Sequence, residues 1–399
     1  MLNYLYNNNI AIQEVSPMSA KPFSTLRFPI ILLTAVLIPL ASFALDETDT
    51  ELDQNQWEMA GFNESETKIS EHSAYKPLKR VLVASASSEL LASMAEVLPE
   101  VEFVSSNNAG NEPNNFDAIF MRCGQVDLLE KAPELAWIQI YSAGIDDCTH
   151  RDKIVDLYNS EKSVIITNSS GTAASVIGEH TIAMMMSVAR GLHRFRDTQA
   201  NSSWQRQLSN EPGLMNTIGG KTMLILGLGS IGTEVARRAD ALGMRVLATR
   251  NSSREGPDYV EYVGLTDETL TLAEQADVVV NALPLTDSTK GFVDTDFFDT
   301  LKSSAIYISV GRGGTTDTDA LLAALENKTI SGAALDVTDP EPLPSSHPLW
   351  EQDNVIITPH ISGVGGDSIE KRETLILENL RRYQAGETIL NMVDVNLGY

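Results

Sequence analysis

The sequence predicts an α/β protein with two doubly wound parallel sheets, on three observations. From Lys79 onward, short apolar runs alternate with helical patterns, and a long apolar segment divides them into two series. Apolar runs of four to six residues joined by crossover helices are typical of parallel sheets that are covered on both faces. A length of 399 residues is too great for one ordinary core, which favours two domains.

The first series lies within residues 79–172. Its strand candidates are RVLVAS, FDAIFM, AWIQIYS and SVIITN, and a helix is expected over residues 87–97. A long apolar helix is then expected over residues 174–196, with Met184–Met186 in the core or at a subunit interface.

The second series lies within residues 173–364. Its strand candidates are KTMLILG, MRVLATR, ADVVVNAL, SAIYISV, SGAALDV and NVIITPH. The stretch IEKRETLILENLRRYQAGE then predicts an amphipathic helix that ends at Gly386, since a glycine commonly follows the last helical turn.

The first 78 residues differ in composition from the rest. Residues 1–44 carry basic side chains before an apolar run that closes on small residues, which is typical of a secretory signal or an uncleaved anchor. Residues 45–78 are rich in acids and are expected to form a disordered linker. We therefore expect export or membrane anchoring through residues 18–44, with a cytoplasmic protein made from a misassigned upstream start as the alternative.

Net charge and cysteine spacing argue against a nucleic-acid partner and against a metal site. The formal net charge of −25 argues against nucleic acid as a partner, because such binding needs a basic surface. Cys123 and Cys148 have neither metal-ligand nor disulfide-framework spacing, so they are expected to be reduced core thiols, and no metal site is expected.

A glycine motif predicts a dinucleotide site. Gly227, Gly229 and Gly232, with Ser230 and Ile231 between them, stand in G-x-G-x-x-G register between a strand and a helix. The first glycine permits the tight turn, the second lets a pyrophosphate approach the backbone, and the third lets the helix pack on the strand.

The loop after the next strand indicates which dinucleotide is bound. The residue that contacts the ribose 2′-hydroxyl is expected about 20 positions past the motif, and Arg250 stands there in place of an acid. Its guanidinium suits a 2′-phosphate, and Ser252, Ser253 and Arg254 add further donors. NADP(H) is therefore expected in preference to NAD(H), with merely solvated loop residues as the alternative.

Three later strands each lead to a polar side chain. Arg312, Glu341 and His360 follow the candidates SAIYISV, SGAALDV and NVIITPH, at the sheet edge where open parallel sheets bind ligands. They supply a cation, a carboxylate and an imidazole. These groups can reduce a 2-oxo acid by hydride and proton transfer with a nicotinamide cofactor.

From about Lys79 to its end, the chain resembles the D-isomer-specific 2-hydroxyacid dehydrogenase family. The resemblance runs in order through WIQIYSAGID, VIGEH, LGLGSIG, ALPLTDST, GRGGTTDTDALLAAL, GAALDVTDPEPLP and NVIITPH. It implies a flavodoxin-like substrate domain formed by residues 79–172 and 365–399. It also implies an inserted Rossmann domain over residues 173–364, an active site in the cleft and a homodimer.

The resemblance also implies catalytic and substrate-binding roles. Arg312 would bind the substrate carboxylate and carbonyl, while His360 would exchange the proton. Glu341 would hydrogen-bond to His360 and keep it protonated. The backbone amides of Ala143 and Gly144 would hold the substrate carboxylate.

Further residues would contact the cofactor. The turn Ala282–Pro284 would flank the adenosine half, and Asp336 would face the nicotinamide carboxamide. The cofactor contacts outside the glycine motif and the arginine loop are Leu283, Pro284, Val310, Gly311, Asp336, His360 and Gly363.

Departures from the family pattern leave some assignments open. Gly311 stands where many members have alanine, and Ser362 also replaces a more common alanine. Asp339 is a rival to Glu341, which is favoured because it lies five residues beyond Asp336 and directly before a proline. Four further histidines are expected to be structural: His150, His180, His193 and His347.

The sequence thus predicts a reductase of small 2-oxo acids such as glyoxylate or hydroxypyruvate. The alternative is a protein of the same fold that senses NAD(P)(H) without metabolic turnover.

Overall fold

The computed structural model describes residues 62–108, 115–146, 148–161, 163–251 and 253–395. The expected signal segment, most of the acidic linker and Ser252 lie outside these residues.

A first lobe is built on a five-stranded sheet in which every pairing is parallel. The strand order 2-1-3-4-5 is that of a flavodoxin-like sheet, as the sequence predicts. Three of its strands are fully buried because their apolar side chains lie against helices on both faces. The strands and first helices are β1 (Arg80–Val83), α1 (Ser88–Val97), β2 (Glu102–Ser105), β3 (Ala118–Met121), β4 (Trp137–Ile140), α2 (Arg151–Tyr158) and β5 (Ile165–Thr167).

A second lobe is built on a seven-stranded parallel sheet with the order β12-β11-β10-β9-β6-β7-β8. Counted from its own first strand, this is the Rossmann order 3-2-1-4-5-6 with one strand added. Its elements are α3 (Ala174–Ala189), α4 (Leu192–Ala200), β6 (Thr222–Leu226), α5 (Ser230–Ala241), β7 (Arg245–Thr249), β8 (Tyr262–Gly264), α6 (Thr269–Ala273), β9 (Val278–Asn281), α7 (Thr295–Thr300), β10 (Ile306–Ser309), α8 (Thr318–Glu326), β11 (Gly332–Leu335) and β12 (Val355–Ile357).

The last helix, α9 (Ser368–Ala385), returns to the first lobe. Its buried face packs on β1 and β4, and the ring of Tyr383 stacks on Trp137 with centroids 4.8 Å apart. The helix ends at Gly386, whose φ of 70° places it in the left-handed region that favours glycine. The first lobe is therefore formed by two separate parts of the chain, as expected.

Two strands were not predicted from the sequence, and one predicted helix is divided into two. β2 and β8 are edge strands of four and three residues with partly exposed side chains, so neither forms an apolar run. The helix expected over residues 174–196 is wrong as a single element. It ends at Ala189 and a new helix starts at Leu192, because Gly191 adopts a φ of 60°.

Residues 62–78 belong to the first lobe, which corrects their assignment to a disordered linker. Phe62 and Ile69 are buried. The Glu64 carboxylate pairs with Arg382 of α9 at 2.9 Å. Backbone atoms of Asn63 and Asn391 also hydrogen-bond at 2.6 Å, so this segment runs beside the far end of the chain.

The two cysteines are not reduced core thiols. Cys123, after β3, and Cys148, after β4, form a disulfide although 25 positions separate them. The two loops meet because β3 and β4 are neighbours in the sheet, which the spacing alone does not reveal. The bond ties together two loops at the carboxyl edge of the first sheet.

The described residues contain neither a membrane-spanning helix nor a cluster of metal ligands. None of the helices within the described ranges is long and apolar enough to cross a membrane. In the same part of the chain, no group of three or more His, Cys, Asp or Glu side chains is arranged to hold a metal ion.

Candidate active site

Three neighbouring strands of the second sheet deliver polar residues to one edge. Arg312 follows β10, Asp336 follows β11 and His360 follows β12. Because the strands are parallel, these residues all lie at the carboxyl edge, where open α/β sheets bind their ligands. This placement is consistent with the site that the sequence predicts at the carboxyl edge.

The imidazole of His360 is paired with Glu341. Its Nδ1 lies 2.6 Å from Oε1 of that carboxylate, and each side chain is partly exposed. Asp339 is directed elsewhere: it lines a cavity of about 340 Å³ with Lys290, Asp319 and other polar residues. The geometry therefore favours Glu341 over its rival as the partner of the histidine.

His360 adopts an unusual backbone conformation. Its φ of 50° lies in the left-handed region, which costs a residue other than glycine roughly 1–2 kcal/mol. Asp336 holds the chain in this conformation. Its backbone carbonyl accepts from the amide of His360 at 2.8 Å. Its carboxylate accepts from the amides of Ile361 and Ser362 at 2.9 and 3.0 Å.

Asp336 is buried, and its carboxylate is fully engaged in this support. The Thr358 hydroxyl donates to it at 2.6 Å and also lies 3.1 Å from Nε2 of His180 on α3. Burial by itself would raise the pKa of Asp336, but hydrogen bonds from Ser362, Thr358 and Ile361 outweigh it and lower that pKa. Asp336 is therefore held as a carboxylate beneath the His360 loop, and its expected contact with the nicotinamide stays a prediction.

Arg312 is fixed by two acceptors. Its Nε donates to Oδ2 of Asp146 at 2.9 Å, and its Nη1 donates to the carbonyl of Gly311 at 3.1 Å. The remaining nitrogen, Nη2, lies against Gly144, where any side chain would overlap both Arg312 and Asp146. The arginine of the second lobe thus contacts the Ala143–Gly144 loop of the first lobe.

That loop is itself well supported. The side-chain amide of Asn168 donates to the carbonyl of Ala143 at 2.6 Å, and the Ser142 hydroxyl donates to the carbonyl of Gly144 at 2.9 Å. The Cys123–Cys148 disulfide closes its far end. Neither Asp146 nor Asn168 was identified from the sequence, because no local motif marks their contacts.

The glycine motif has the geometry of a dinucleotide site. Gly227 has a φ of 90°, and Gly232 leaves no room for a Cβ against the carbonyl of Gly227. Gly229 precedes the first turn of α5, and nothing lies within 4 Å of the Cβ position there. This open space at a helix N-terminus suits a pyrophosphate, so the residues fit the expected cofactor.

The other predicted cofactor residues surround the same crevice. Gly311 packs on the β9 turn, where a Cβ would lie 2.5 Å from the carbonyl oxygen of Leu283. This crowding gives a steric reason for the departure from alanine. Val310 is buried below Gly311. Four other predicted cofactor residues are partly buried or exposed, and their contacts with the cofactor stay a prediction: Ser230, Ile231, Pro284 and Gly363.

The two arginines of the loop after β7 have different hydrogen-bond partners. Arg250 directly follows β7, and its Nη1 donates to the backbone carbonyl of Glu255 at 2.9 Å. Arg254 is already paired with the Glu268 carboxylate at 2.6 Å and donates to the Tyr262 hydroxyl at 2.8 Å. The acceptor of Arg250 is neutral, so a phosphate can replace it without displacing the charged group that Arg254 already pairs with.

Two of the remaining histidines contact nearby backbone. Nδ1 of His347 accepts from the amide of Leu349, and Nδ1 of His193 lies 3.3 Å from the carbonyl of Ser187. His150 directly precedes α2. Their positions are consistent with the structural roles expected for them.

Fold and site together define a class of protein. A Rossmann lobe with an open glycine turn faces a flavodoxin-like lobe, and a carboxylate-paired imidazole and a fixed guanidinium lie at the carboxyl edge of the second sheet. These are the features of a nicotinamide-dependent oxidoreductase with two α/β domains.

Comparisons with known proteins identify the family. Residues 182–362 match the family described as D-isomer specific 2-hydroxyacid dehydrogenase, NAD binding domain. A glycerate dehydrogenase of Methylorubrum extorquens is 30% identical over 268 residues, which cover 66% of this chain and 80% of the relative. A glyoxylate reductase of Korarchaeum cryptofilum is 29% identical over 271 residues, which cover 67% and 79%.

A solved structure agrees with these relatives. The crystal structure of a D-isomer specific 2-hydroxyacid dehydrogenase family protein from Aeromonas salmonicida superposes with a TM-score of 0.68 at 28% identity. It covers 80% of this chain and 99% of that one. The chain therefore belongs to the D-isomer specific 2-hydroxyacid dehydrogenase family and is an NAD(P)-dependent oxidoreductase that acts on CH–OH groups.

Proposed function

We propose that this protein reduces a small 2-oxo acid to the D-2-hydroxy acid with NADPH. The observation that carries the proposal is the His360–Glu341 pair at 2.6 Å, at the same carboxyl edge of the second sheet as the fixed guanidinium of Arg312. Glyoxylate and hydroxypyruvate are the proposed substrates, because the similar proteins include a glyoxylate reductase and a glycerate dehydrogenase.

Each side chain has one task in this reaction. Arg312 binds the substrate carboxylate and polarises the carbonyl, while the amides of Ala143 and Gly144 hold the other carboxylate edge. When bound, the nicotinamide supplies the hydride that reaches the carbonyl carbon. His360 donates a proton to the carbonyl oxygen, which becomes the hydroxyl, and Glu341 stabilises the charged imidazole before that transfer.

The preference for NADPH rests mainly on Arg250. Its position after β7 matches the place where NAD-binding proteins of this fold carry an acid, and its guanidinium donates to the backbone carbonyl of Glu255. Arg254 contributes less, since a 2′-phosphate must compete with Glu268 for it.

A homodimer is proposed as well. Between α3 and β6 the chain exposes Leu192, Trp204 and Met215, and Trp204 is 95% exposed. Large apolar side chains of this kind are enriched in subunit interfaces. Sedimentation of the wild type and of Trp204→Ser tests the dimer: the wild type should sediment as a dimer and the variant more weakly so, whereas a wild-type monomer refutes it.

Export is the proposed location, with a cytoplasmic protein as the alternative. The signal-like residues 1–44 suggested it, and the Cys123–Cys148 disulfide supports it because such bonds persist mainly in oxidising compartments. Sequencing the amino terminus of the mature protein after cell fractionation tests this. A terminus at Leu45 supports cleavage, whereas an intact Met18 in the soluble cytosol excludes export.

A steady-state assay tests the reaction. NADPH oxidation is followed with a panel of 2-oxo acids for the wild type and for His360→Ala. Loss of the proton donor should lower kcat by roughly 10²–10⁴-fold while NADPH still binds. The matched control His347→Ala should keep its activity. Tight NADPH binding without turnover of any 2-oxo acid would contradict the proposal and favour a sensor of the cofactor.

A further inference from the structure

Asp146 contacts Arg312 from the opposite lobe. It lies in the loop after β4 of the first lobe, whereas Arg312 follows β10 of the second lobe, and 166 positions separate them. The two side chains are only 18% and 23% exposed, and the joining distance is 2.9 Å. Because both side chains are mostly shielded from water, this contact is screened less than a fully exposed ion pair.

The hydrogen bonds of Arg312 show what this contact does. A guanidinium has five N–H donors. One, on Nε, goes to Asp146, and one, on Nη1, goes to the carbonyl of Gly311. The donors left over are on the Nη1 and Nη2 edge, and Nη2 lies directly against Gly144 in the loop expected to hold the substrate carboxylate.

From this geometry we infer that Asp146 is a positioning residue, which orients Arg312 so that its Nη edge faces the substrate carboxylate. The inference rests on the proposed function and deepens it. Asp146 accepts the hydrogen bond from the one Nε–H of Arg312. The guanidinium plane therefore cannot rotate about the arginine side chain and present a different edge to the substrate. A carboxylate is recognised by two parallel N–H donors, and that recognition needs a fixed plane.

The role requires an acceptor oxygen and not a negative charge. Asp146→Asn keeps a carbonyl oxygen on the same side chain and should still accept from Nε. Asp146→Ala removes the acceptor and leaves the Arg312 guanidinium with one backbone partner. Asp156→Ala is the matched control, because this exposed acid on α2 of the same lobe has the same charge without the contact.

The first measurement needs no ligand. In the ¹⁵N–¹H spectrum of the full chain, the Arg312 Nε–H signal, assigned by its loss in Arg312→Lys, should be protected from solvent exchange. It should remain protected in Asp146→Asn and Asp156→Ala and lose protection in Asp146→Ala. Equal protection in Asp146→Ala would overturn the inference.

The second measurement is binding of oxamate, an unreactive analogue of a 2-oxo acid, to the NADPH-saturated protein by calorimetry. Asp146→Ala should weaken oxamate binding about tenfold, the cost of one hydrogen bond to a charged group. Asp146→Asn should stay within about threefold, and the Kd for NADPH should not change. KM for the 2-oxo acid should rise more than kcat falls.

The outcomes separate this inference from the proposed function. If every variant weakens NADPH and oxamate alike, Asp146 is only structural and the inference is refuted. If Asp146→Ala loses Nε protection and oxamate affinity while the wild type turns over no 2-oxo acid, the proposed function fails and the positioning role stands.

Discussion

His360 and Glu341 are joined through Nδ1 and Oε1 at 2.6 Å, although they follow different strands of the second sheet. This contact assigns Nδ1 to the carboxylate and leaves Nε2 as the nitrogen that can exchange a proton with a substrate. The carboxylate accepts a hydrogen bond from Nδ1–H and so fixes the orientation of the ring for that exchange.

Glu341→Gln should therefore lower kcat by about tenfold, because an amide holds the imidazole less firmly than a carboxylate does. Steady-state kinetics of the wild type, Glu341→Gln and Asp339→Asn measure this. Asp339→Asn should leave kcat unchanged, as its carboxylate lines a separate cavity. A loss of kcat in Asp339→Asn alone would contradict the assignment.

Substitution of Arg250 and Arg254, the two arginines after β7, should change the preference between NADPH and NADH. Arg250→Ala should lower kcat/KM for NADPH by about ten- to a hundredfold, the value of a charge-assisted hydrogen bond. Arg254→Ala should cost less because Arg254 is paired with Glu268. The double variant Arg250→Asp, Arg254→Ser should prefer NADH. Equal use of both cofactors by the wild type would show that Arg250 does not select a phosphate.

Asp336→Asn should destabilise the second lobe at neutral pH by about 1–3 kcal/mol, because an amide nitrogen would face a buried donor. The pKa of Asp336 lies below its ordinary value of 3.8. Its carboxylate thus contributes stability above that pH and loses the contribution as the pH falls through the lower, folded-state pKa. Urea unfolding at pH 7 and pH 3 should show a difference between wild type and variant that shrinks in acid. A difference that grows in acid would reverse the sign of the argument.

Removal of residues 1–61 should leave the first lobe intact, whereas removal of residues 1–74 should destabilise it. The longer deletion strips Phe62 and Ile69 from the core, and loss of one such side chain costs about 2–5 kcal/mol. Thermal unfolding of the two truncated chains measures the difference. Ile69→Ala in the full chain should reproduce part of the loss, and Lys68→Ala should not. Equal stability of both truncated chains would restore the linker assignment.

Purified protein should contain no free thiol until it is reduced. Closure of a loop of 25 positions stabilises the folded state by about 3 kcal/mol in the chain-entropy view. Thiol titration under denaturing conditions, before and after reduction, detects the bond. Thermal unfolding of Cys123→Ser should show the loss, and two titratable thiols in untreated protein would exclude the disulfide.

The fold and the catalytic residues were largely predictable because both leave local marks in the sequence. Of the twelve strands in the described part of the chain, ten are apolar runs, and Arg312 and His360 follow such runs. β2 and β8 lie at sheet edges, where partly exposed side chains remove the apolar signal.

The missed features depend on contacts between distant residues. Asp146 is one acid among 54 acidic side chains, and only the folded chain brings it to Arg312. The Cys123–Cys148 bond likewise requires that β3 and β4 be adjacent. The burial of Phe62 and Ile69 requires α9, more than 300 positions away, so the local composition of residues 45–78 indicates disorder.

The pairing of Asn63 with Asn391 brings the beginning and the end of the described residues to one corner of the first lobe. A peptide of a few residues is long enough to join them, so the fold is suited to circular permutation. A segment attached at either end would therefore emerge from the same corner of the first lobe. A membrane attachment before Phe62 and a fusion partner after Val395 would then compete for one side of the molecule.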